Sequence, residues 1–311
     1  METSATSQAE LVAQAEHAIW SQNFGTLQSL PQLDPASWAG SIQSESKRFG
    51  IDAPLEWPAH AQPAYHQACA IMMLKDEADI VRLNLEWLYF TGVRKFALIN
   101  NGSTDHTQAE IEQFRADRPE AEVVTIFDPI VRYLQAVKTT ALFRWAITMW
   151  PDVRWVFPVD ADEFLVATKG LSILDAVQNN VRGITIPKVV HFRHRVGDEP
   201  SGGNILSRMG LRSKPFVVPP KVICRADLDL TITQGNHRVN SATGKAVDFT
   251  GGLALGIYYR EFQTRDYDHF RRKVLNGGAA ILAAQKHIGG GIGGDHWLKW
   301  YDTLQQGGDP A

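Results

Sequence analysis

Cysteine is scarce in this chain, with only Cys69 and Cys224 among 311 residues. Each lies inside an apolar segment, the setting of a buried free thiol, and two thiols cannot build a disulfide framework. Long apolar runs are missing too. None approaches the roughly 20 residues needed to cross a bilayer. The first residues show no basic start followed by an apolar core, so no secretory signal is expected. Asn101-Gly102-Ser103 is formally a glycosylation sequon, but without export it should carry no glycan. No dense Lys/Arg block occurs either. With a formal net charge of -3, a general nucleic-acid-binding surface is not expected. These absences together imply a cytoplasmic protein, free or peripheral at the inner face of the membrane, with no transmembrane segment and no nucleic-acid partner.

What remains is an ordinary globular mixture, 44% hydrophobic and 21% charged, able to bury a sizeable core. The length suits one large domain, or one domain with a small appendage. Residues 8–24 carry Leu11, Ala15, Ala18 and Ile19 at helical spacing, and 31–63 is rich in Pro, Ser and Trp without a clear period. Residues 1–64 therefore read as a peripheral helix and an irregular wrap, and 65–311 as the working domain.

From Cys69 the pattern becomes strand, loop, helix, repeated. Strands are expected over 68–74, 95–99, 123–127 and 154–159, with helices over 80–90, 107–117 and 133–149 between them. Such alternation implies right-handed crossovers and a mostly parallel central sheet flanked by helices. Beyond 175 the pattern loosens. Strands are expected over 183–190, 215–224 and 230–233, then helices over 267–282 and 297–304, giving a more antiparallel C-terminal half that receives a second substrate. In parallel sheets ligands bind at the carboxyl ends of the strands. The loops at Lys75, Asn100 and Asp160 share that edge.

The most informative of these loops is Asp160-Ala161-Asp162, which follows the apolar run Val156-Phe157-Pro158-Val159. Alternation along a strand would point both carboxylates to one side. Converging carboxylates repel unless a proton or a cation sits between them, and Mg²⁺ or Mn²⁺ prefers such oxygen ligands while leaving positions for phosphates. A solvated acidic turn is the plainer alternative. His237, in a loop with Gly235 and Asn236, could add an imidazole to the two carboxylates; a satisfied loop histidine is its plainer alternative. Arg265, Arg271, Arg272 and Lys273 bring positive charge to the last long helix, either as a solvated face or as a phosphate clamp. His191 and His194 read as polar surface. Gly289, Gly291 and Gly294 satisfy G-x-G-x-x-G formally, but they follow a helix instead of a strand, so a mobile linker is the better reading.

In order along the chain stand Lys75-Asp76-Glu77, Glu86-Trp87, Asn100-Asn101-Gly102-Ser103-Thr104-Asp105 and Asp160-Ala161-Asp162-Glu163-Phe164. This set resembles the bacterial glycosyltransferase family 2-like proteins, with their K-N-E, E-W, D-N-x-S-x-D and D-x-D-E-F motifs. A weaker echo runs from Arg265 to Gly278 and at His296-Trp297. The resemblance implies an α/β protein of GT-A (nucleotide-diphospho-sugar transferase) fold. Its activity would be metal-dependent, inverting transfer of a hexose from a nucleotide-sugar donor to a glycan or other hydroxyl acceptor, in bacterial glycan biosynthesis. Carried over by position, Asp162 would bind Mn²⁺ or Mg²⁺ directly, Asp160 would help hold ribose and metal, and Glu77 and the loop of Asn100, Asn101, Ser103 and Asp105 would contact the nucleoside. Beside these, the loop setting of His237 makes it a candidate third metal ligand, and Lys75, Lys138, Arg265 and Lys273 are further candidates for holding the donor. Asp198 and Glu199, or alternatively Asp295 beside His296, are candidate general bases.

The chain departs from the family at Asp76, at Asn100, which replaces a frequent Asp, and at Tyr258-Tyr259, which stands where a His-aromatic pair is expected. Two rival readings follow: a catalytically inactive nucleotide- or glycan-binding relative, and a sugar nucleotidyltransferase. The second would want a Gly-rich basic loop after the first strand, and Met72 to Glu77 contains no glycine.

Overall fold

Strand β1 (Ala68–Leu74) is buried along nearly its whole length, which only a central strand covered on both faces allows. It belongs to a computed structural model describing residues 55, 57–168, 171–180, 182–192, 205–209, 211–212, 217–227, 229–241, 247–288 and 295–308. After β1 come α1 (Val81–Phe90), β2 (Lys95–Asn100), α2 (Thr107–Asp117), β3 (Glu122–Phe127), α3 (Gln135–Met149) and β4 (Trp155–Pro158). The strands pair in parallel in the order β3-β2-β1-β4, with Leu74 beside Asn100 at the carboxyl ends of β1 and β2. Every one of these elements lies within two residues of its expected bounds.

Successive residues of β1 serve two different cores. Ala70, Met72 and Leu74 pack with Trp87, Leu88 and Phe96 on the side of α1 and α2. Cys69 and Ile71 pack with Val137, Ala141 and Phe143 on the side of α3. Cys69 and Cys224 are buried free thiols, as expected.

The second half comprises β5 (Glu163–Ala167), α4 (Ile173–Gln178), β6 (Gly183–Phe192), α5 (Ile205–Arg208), β7 (Leu211–Arg212), β8 (Val217–Arg225), β9 (Leu230–Ile232), β10 (Val239–Ser241), β11 (Phe249–Gly251), β12 (Ile257–Thr264), α6 (Tyr267–Ile288) and α7 (Asp295–Gln305). The sheet continues from β4 through β8, β6 and β12 to β5. Strand β8 is antiparallel to both its neighbours, and β5 is antiparallel to β12. This is the more antiparallel half expected from the loosened pattern. Strands β5 and β12 and helix α4 had no counterpart in the sequence reading.

One correction concerns the aspartates. Strand β4 stops at Pro158, and Asp160 to Asp162 form a turn closed by the Glu163 N–H donating to the Asp160 carbonyl at 3.0 Å. The turn, and not strand alternation, sets their directions. Helix α1 holds it from behind: the Trp87 indole donates to the Leu165 carbonyl at 2.7 Å and the Asn84 amide to that of Glu163 at 2.8 Å. Trp87 of the Glu86-Trp87 motif is therefore a brace for the acidic turn. Among the described residues no helix is long and apolar enough to cross a membrane. The helix expected over 8–24 and the glycine run 289–294 lie outside the described residues. Residues 57–66 lie along α1, with Trp57 set edge-on to Trp87 at 5.4 Å.

Candidate functional site

A cavity of about 410 Å³ opens at the carboxyl ends of β1, β2 and β4, within the range of small-molecule sites. Its first wall is the loop after β1. Asp76 adopts φ 55°, a left-handed conformation that Asp tolerates because its short side chain bonds locally. Its carboxylate accepts from the Thr104 N–H and the Asn276 amide, each at 2.6 Å, and lies 3.2 Å from Lys75. Burial opposes ionisation of Asp76, yet Thr104 and Lys75 outweigh it and hold the carboxyl below its ordinary value.

The second loop braces the first. Ser103 Oγ accepts from the Asp76 N–H at 3.0 Å, Thr107 Oγ1 from the Glu77 N–H at 2.8 Å, and Asp105 from the Ala78 N–H at 3.1 Å. Asn100 accepts from the Ser103 N–H at 2.9 Å and donates to Gln108 at 3.0 Å. Asn101 reaches the cavity wall while donating to the Ile130 carbonyl at 2.9 Å. Lys138 is buried behind the wall, 2.7 Å from Asp128 and from the Ile130 carbonyl; burial lowers its pKa.

The acidic turn faces cations. Asp160 accepts from Lys221 at 2.6 Å, from Gln135 at 3.0 Å and from Asn236 at 3.2 Å. Lys221, from β8, is also 2.8 Å from Glu163. Burial opposes its charge, but these two carboxylates raise its pKa well above the ordinary value. Burial, with the charges of Asp160 and Glu261, pushes the Glu163 carboxyl up to about 8. Asp162 is buried against Lys273 of α6 at 2.7 Å. Burial would raise its pKa, yet Lys273 and Arg265 hold the carboxyl well below the usual range.

The two histidines on the wall carry the same tautomer, each fixed by a neighbour. His237 Nδ1 lies 2.9 Å from the Pro220 carbonyl, which can only accept, so Nδ1 holds the proton and Nε2 keeps a bare lone pair. Burial and Lys221 lower its pKa to about 4. His269 Nε2 lies 2.6 Å from an Arg265 guanidinium nitrogen, which can only donate, so the His269 proton sits on Nδ1. That N–H is buried without a partner. Burial, Arg265 and Lys273 lower the His269 pKa to about 3.

Arg265 is not the exposed helical cation that its setting in sequence suggests. Its side chain is 0% exposed, packed behind the wall. It donates to Asp79 at 2.6 and 2.9 Å and forms an ion pair with Glu77. Ligand-type atoms of Glu77, Asp79 and His269 lie within 4.8 Å of one another, but the guanidinium already fills the space where a metal would bind them.

Asp160, Asp162 and the bare His237 Nε2 are of the right kind for Mn²⁺ or Mg²⁺, two hard carboxylates and one neutral imidazole. With the aspartates paired to Lys221 and Lys273, however, their ligand atoms do not gather within 4.8 Å of one another as those of Glu77, Asp79 and His269 do. The structure brings Lys75, Glu77, Asn101, Asp160, Asp162, His237 and Lys273 to one cavity. Asn100, Ser103, Asp105, Lys138 and Arg265 form the layer behind it. Asp198 and Glu199 lie outside the described residues, as does the side chain of Asp295. Sequence reasoning passed over Gln135, Lys188, Lys221, Glu261 and His269. The signal for His269 was its spacing with Lys273 and Asn276 on one face of α6; the others come from strands and helices whose approach no local pattern announces.

No family model matches this chain, and no curated protein does. Among solved structures it is similar to a mannosyltransferase, PcManGT from Pyrobaculum calidifontis, in complex with GDP-Man and Mn²⁺. That match has 17% identity and a TM-score of 0.32, and covers 49% of this chain and 45% of that one. The chain thus aligns with less than half of the mannosyltransferase. It is also similar to HddC from Yersinia pseudotuberculosis, with 10% identity and a TM-score of 0.37, over 66% of this chain and 97% of that one. Likenesses this remote assign no function. The α/β architecture stands on the sheet itself.

Proposed function

We propose that this chain is a metal-dependent, inverting glycosyltransferase of GT-A architecture that moves a hexose from a nucleotide sugar to a hydroxyl acceptor. One observation carries the reading: the Asp160–Asp162 turn stands where the two halves of the sheet meet, in a cavity lined also by His237 and the lysines 188, 221 and 273. A binding loop for an uncharged ligand has no use for so many compensated buried charges, because each must be desolvated.

Asp160, Asp162 and His237 would hold the divalent cation, which would offset charge building on the departing diphosphate. Lys221 and Lys273 now neutralise the two aspartates, and phosphate oxygens are alternative acceptors for the same ammonium groups. The His269 Nδ1–H is a further donor without an acceptor, fixed in place before any ligand arrives. Asn101 and the Asp76 loop line the end of the cavity nearest β2, where a nucleoside would lie.

The test is calorimetric titration of UDP, GDP and dTDP in Mn²⁺, in Mg²⁺ and in excess chelator, followed by release of nucleoside diphosphate from a panel of nucleotide sugars. Metal-dependent binding and cleavage are expected. Failure of all three nucleotides to bind in metal refutes the transferase reading, and equal affinity in chelator refutes the role of the metal.

A further inference from the structure

The cavity has two sides. Lys75, Asp76, Glu77 and Asn101 come from the parallel half of the sheet, and Lys188, Lys221, Glu261 and Gln263 from the half that contains β6, β8 and β12. Among the described residues, Glu261 is the one carboxylate that the second half brings to the wall. Strand β12 fixes its position, pairing Glu261 with Glu163 on β5 and with Val190 on β6.

Glu261 is 5% exposed. Lys188 donates to its Oε1 at 2.8 Å, and its Oε2 has no hydrogen-bond partner. A buried carboxylate oxygen without a donor has lost its hydration uncompensated. A ligand hydroxyl is the donor that would satisfy it. Inverting transfer requires a base on the side of the anomeric carbon away from the diphosphate. With the diphosphate held by the Asp160–Asp162 turn and the nucleoside against the parallel half, that side is the half of the cavity built by β6 and β12.

We propose that Glu261 is the general base of the transfer, a role that rests on the glycosyltransferase reading. The acceptor O–H bond breaks and its proton passes to Glu261 Oε2. The freed electron pair on the acceptor oxygen forms the new bond to the anomeric carbon. The bond from that carbon to the diphosphate oxygen breaks, and its electron pair leaves with the diphosphate. Lys188, by donating to Oε1, fixes the direction of Oε2.

The experiment compares the full-length wild type with Glu261→Gln and Glu261→Asp in Mn²⁺. It measures dissociation constants for UDP, GDP and dTDP, and the release of nucleoside diphosphate from their hexose esters to water and to added glycans. Glu261→Gln should keep nucleotide affinity within about twofold and lose about 10²–10⁴ in rate, the usual contribution of a general base. Glu261→Asp, which keeps the carboxylate but withdraws it, should recover part of that rate. If Glu261→Gln does not fold, Glu261→Asp decides alone, with slower release at unchanged nucleotide affinity as the expected result. Retention of wild-type rate within about threefold in either variant overturns the proposal, as does loss of rate and nucleotide affinity in step. A wild type that binds no nucleotide refutes the transferase reading and the base with it, whereas normal binding with an unaffected Glu261→Gln refutes the base alone.

Discussion

Replacing Arg265 by Met tests how the back wall of the cavity is held. An exposed cation on a helix contributes no more than about 0.5 kcal/mol, and the sequence setting of Arg265 suggested that class. The structure places it elsewhere, with no exposed surface and with Glu77 and Asp79 both bound to its guanidinium. Methionine fills similar volume without the charge, so the change isolates the ion pairs from packing. Breaking a buried pair from one side costs about 3–5 kcal/mol, because the remaining charge stays desolvated. Here the lower end applies. Asp79 is 38% exposed and can rehydrate, whereas Glu77 is only 13% exposed and is left beside Asp162. A loss of about 3 kcal/mol corresponds to a fall in Tm of about 5 °C for a chain of this size. Denaturant and thermal unfolding at neutral pH measure it, with the denaturant slope unchanged. Glu77→Gln should cost less in the Arg265→Met background than in the wild type, since the partner is already gone. A loss below about 1 kcal/mol would place Arg265 with ordinary surface pairs and refute the argument.

His237→Ala should weaken nucleotide binding in Mn²⁺ by about tenfold or more and leave binding in chelator unchanged; equal weakening in both would remove His237 from the metal. His269 gives an acid-side signature: its folded pKa of about 3 lies below the ordinary 6.5, so the unfolded chain takes up the proton first, and stability is lost as pH falls from 6.5 towards 3. His269→Asn, which cannot titrate, should flatten that slope in denaturant midpoints measured across this window, and an unchanged slope would contradict the assignment. A Cβ at Gly278 would stand 2.4 Å from the Tyr301 ring, so Gly278→Ala should cost about 1–3 kcal/mol by overpacking α6 against α7; a neutral result by thermal melting would show that the two helices can part freely.

How far the sequence could be read depended on where each constraint came from. Strands β1, β2 and β3 lie in a sheet covered by helices, so Ala68 to Leu74 and Lys95 to Asn100 read as continuous apolar runs, and α1 and α2 show their own period. Strand β5 begins inside the charged run Asp160 to Glu163, where a turn and a strand look alike. Strand β12 interleaves Tyr258, Tyr259 and Phe262 with Arg260 and Glu261, an aromatic-rich strand signal that local reading passed over. The sequence pointed to Asp160 and Asp162 through strand alternation, whereas they line the cavity because the turn directs them there. The partners Lys221 and Lys273 stand 61 and 111 positions away from those aspartates. No local pattern contains that distance; only the sheet order and the lie of α6 bring them together.

The charges on the cavity wall explain why an anion and a metal would enter together. Six cationic side chains, Lys75, Arg132, Lys188, Lys221, Arg272 and Lys273, face five carboxylates, Asp76, Glu77, Asp160, Asp162 and Glu261. With the described histidines of the wall neutral, as their lowered pKa values require, the balance is a single positive charge. A divalent cation arriving alone would meet aspartates already paired with lysines, and would have to leave those ammonium groups buried without partners. A diphosphate arriving alone would turn the wall negative. Arriving together, the diphosphate gives Lys221 and Lys273 new acceptors while the metal takes the aspartates they release, and the balance returns close to where it began. The same titrations in Mn²⁺ and in chelator measure this coupling: affinity for metal should rise in the presence of nucleotide by the same factor as affinity for nucleotide rises in the presence of metal. Metal binding that is equally tight with and without nucleotide would show that the lysines do not compete for Asp160 and Asp162, and that the ion pairs at 2.6 and 2.7 Å play no part in admitting the donor.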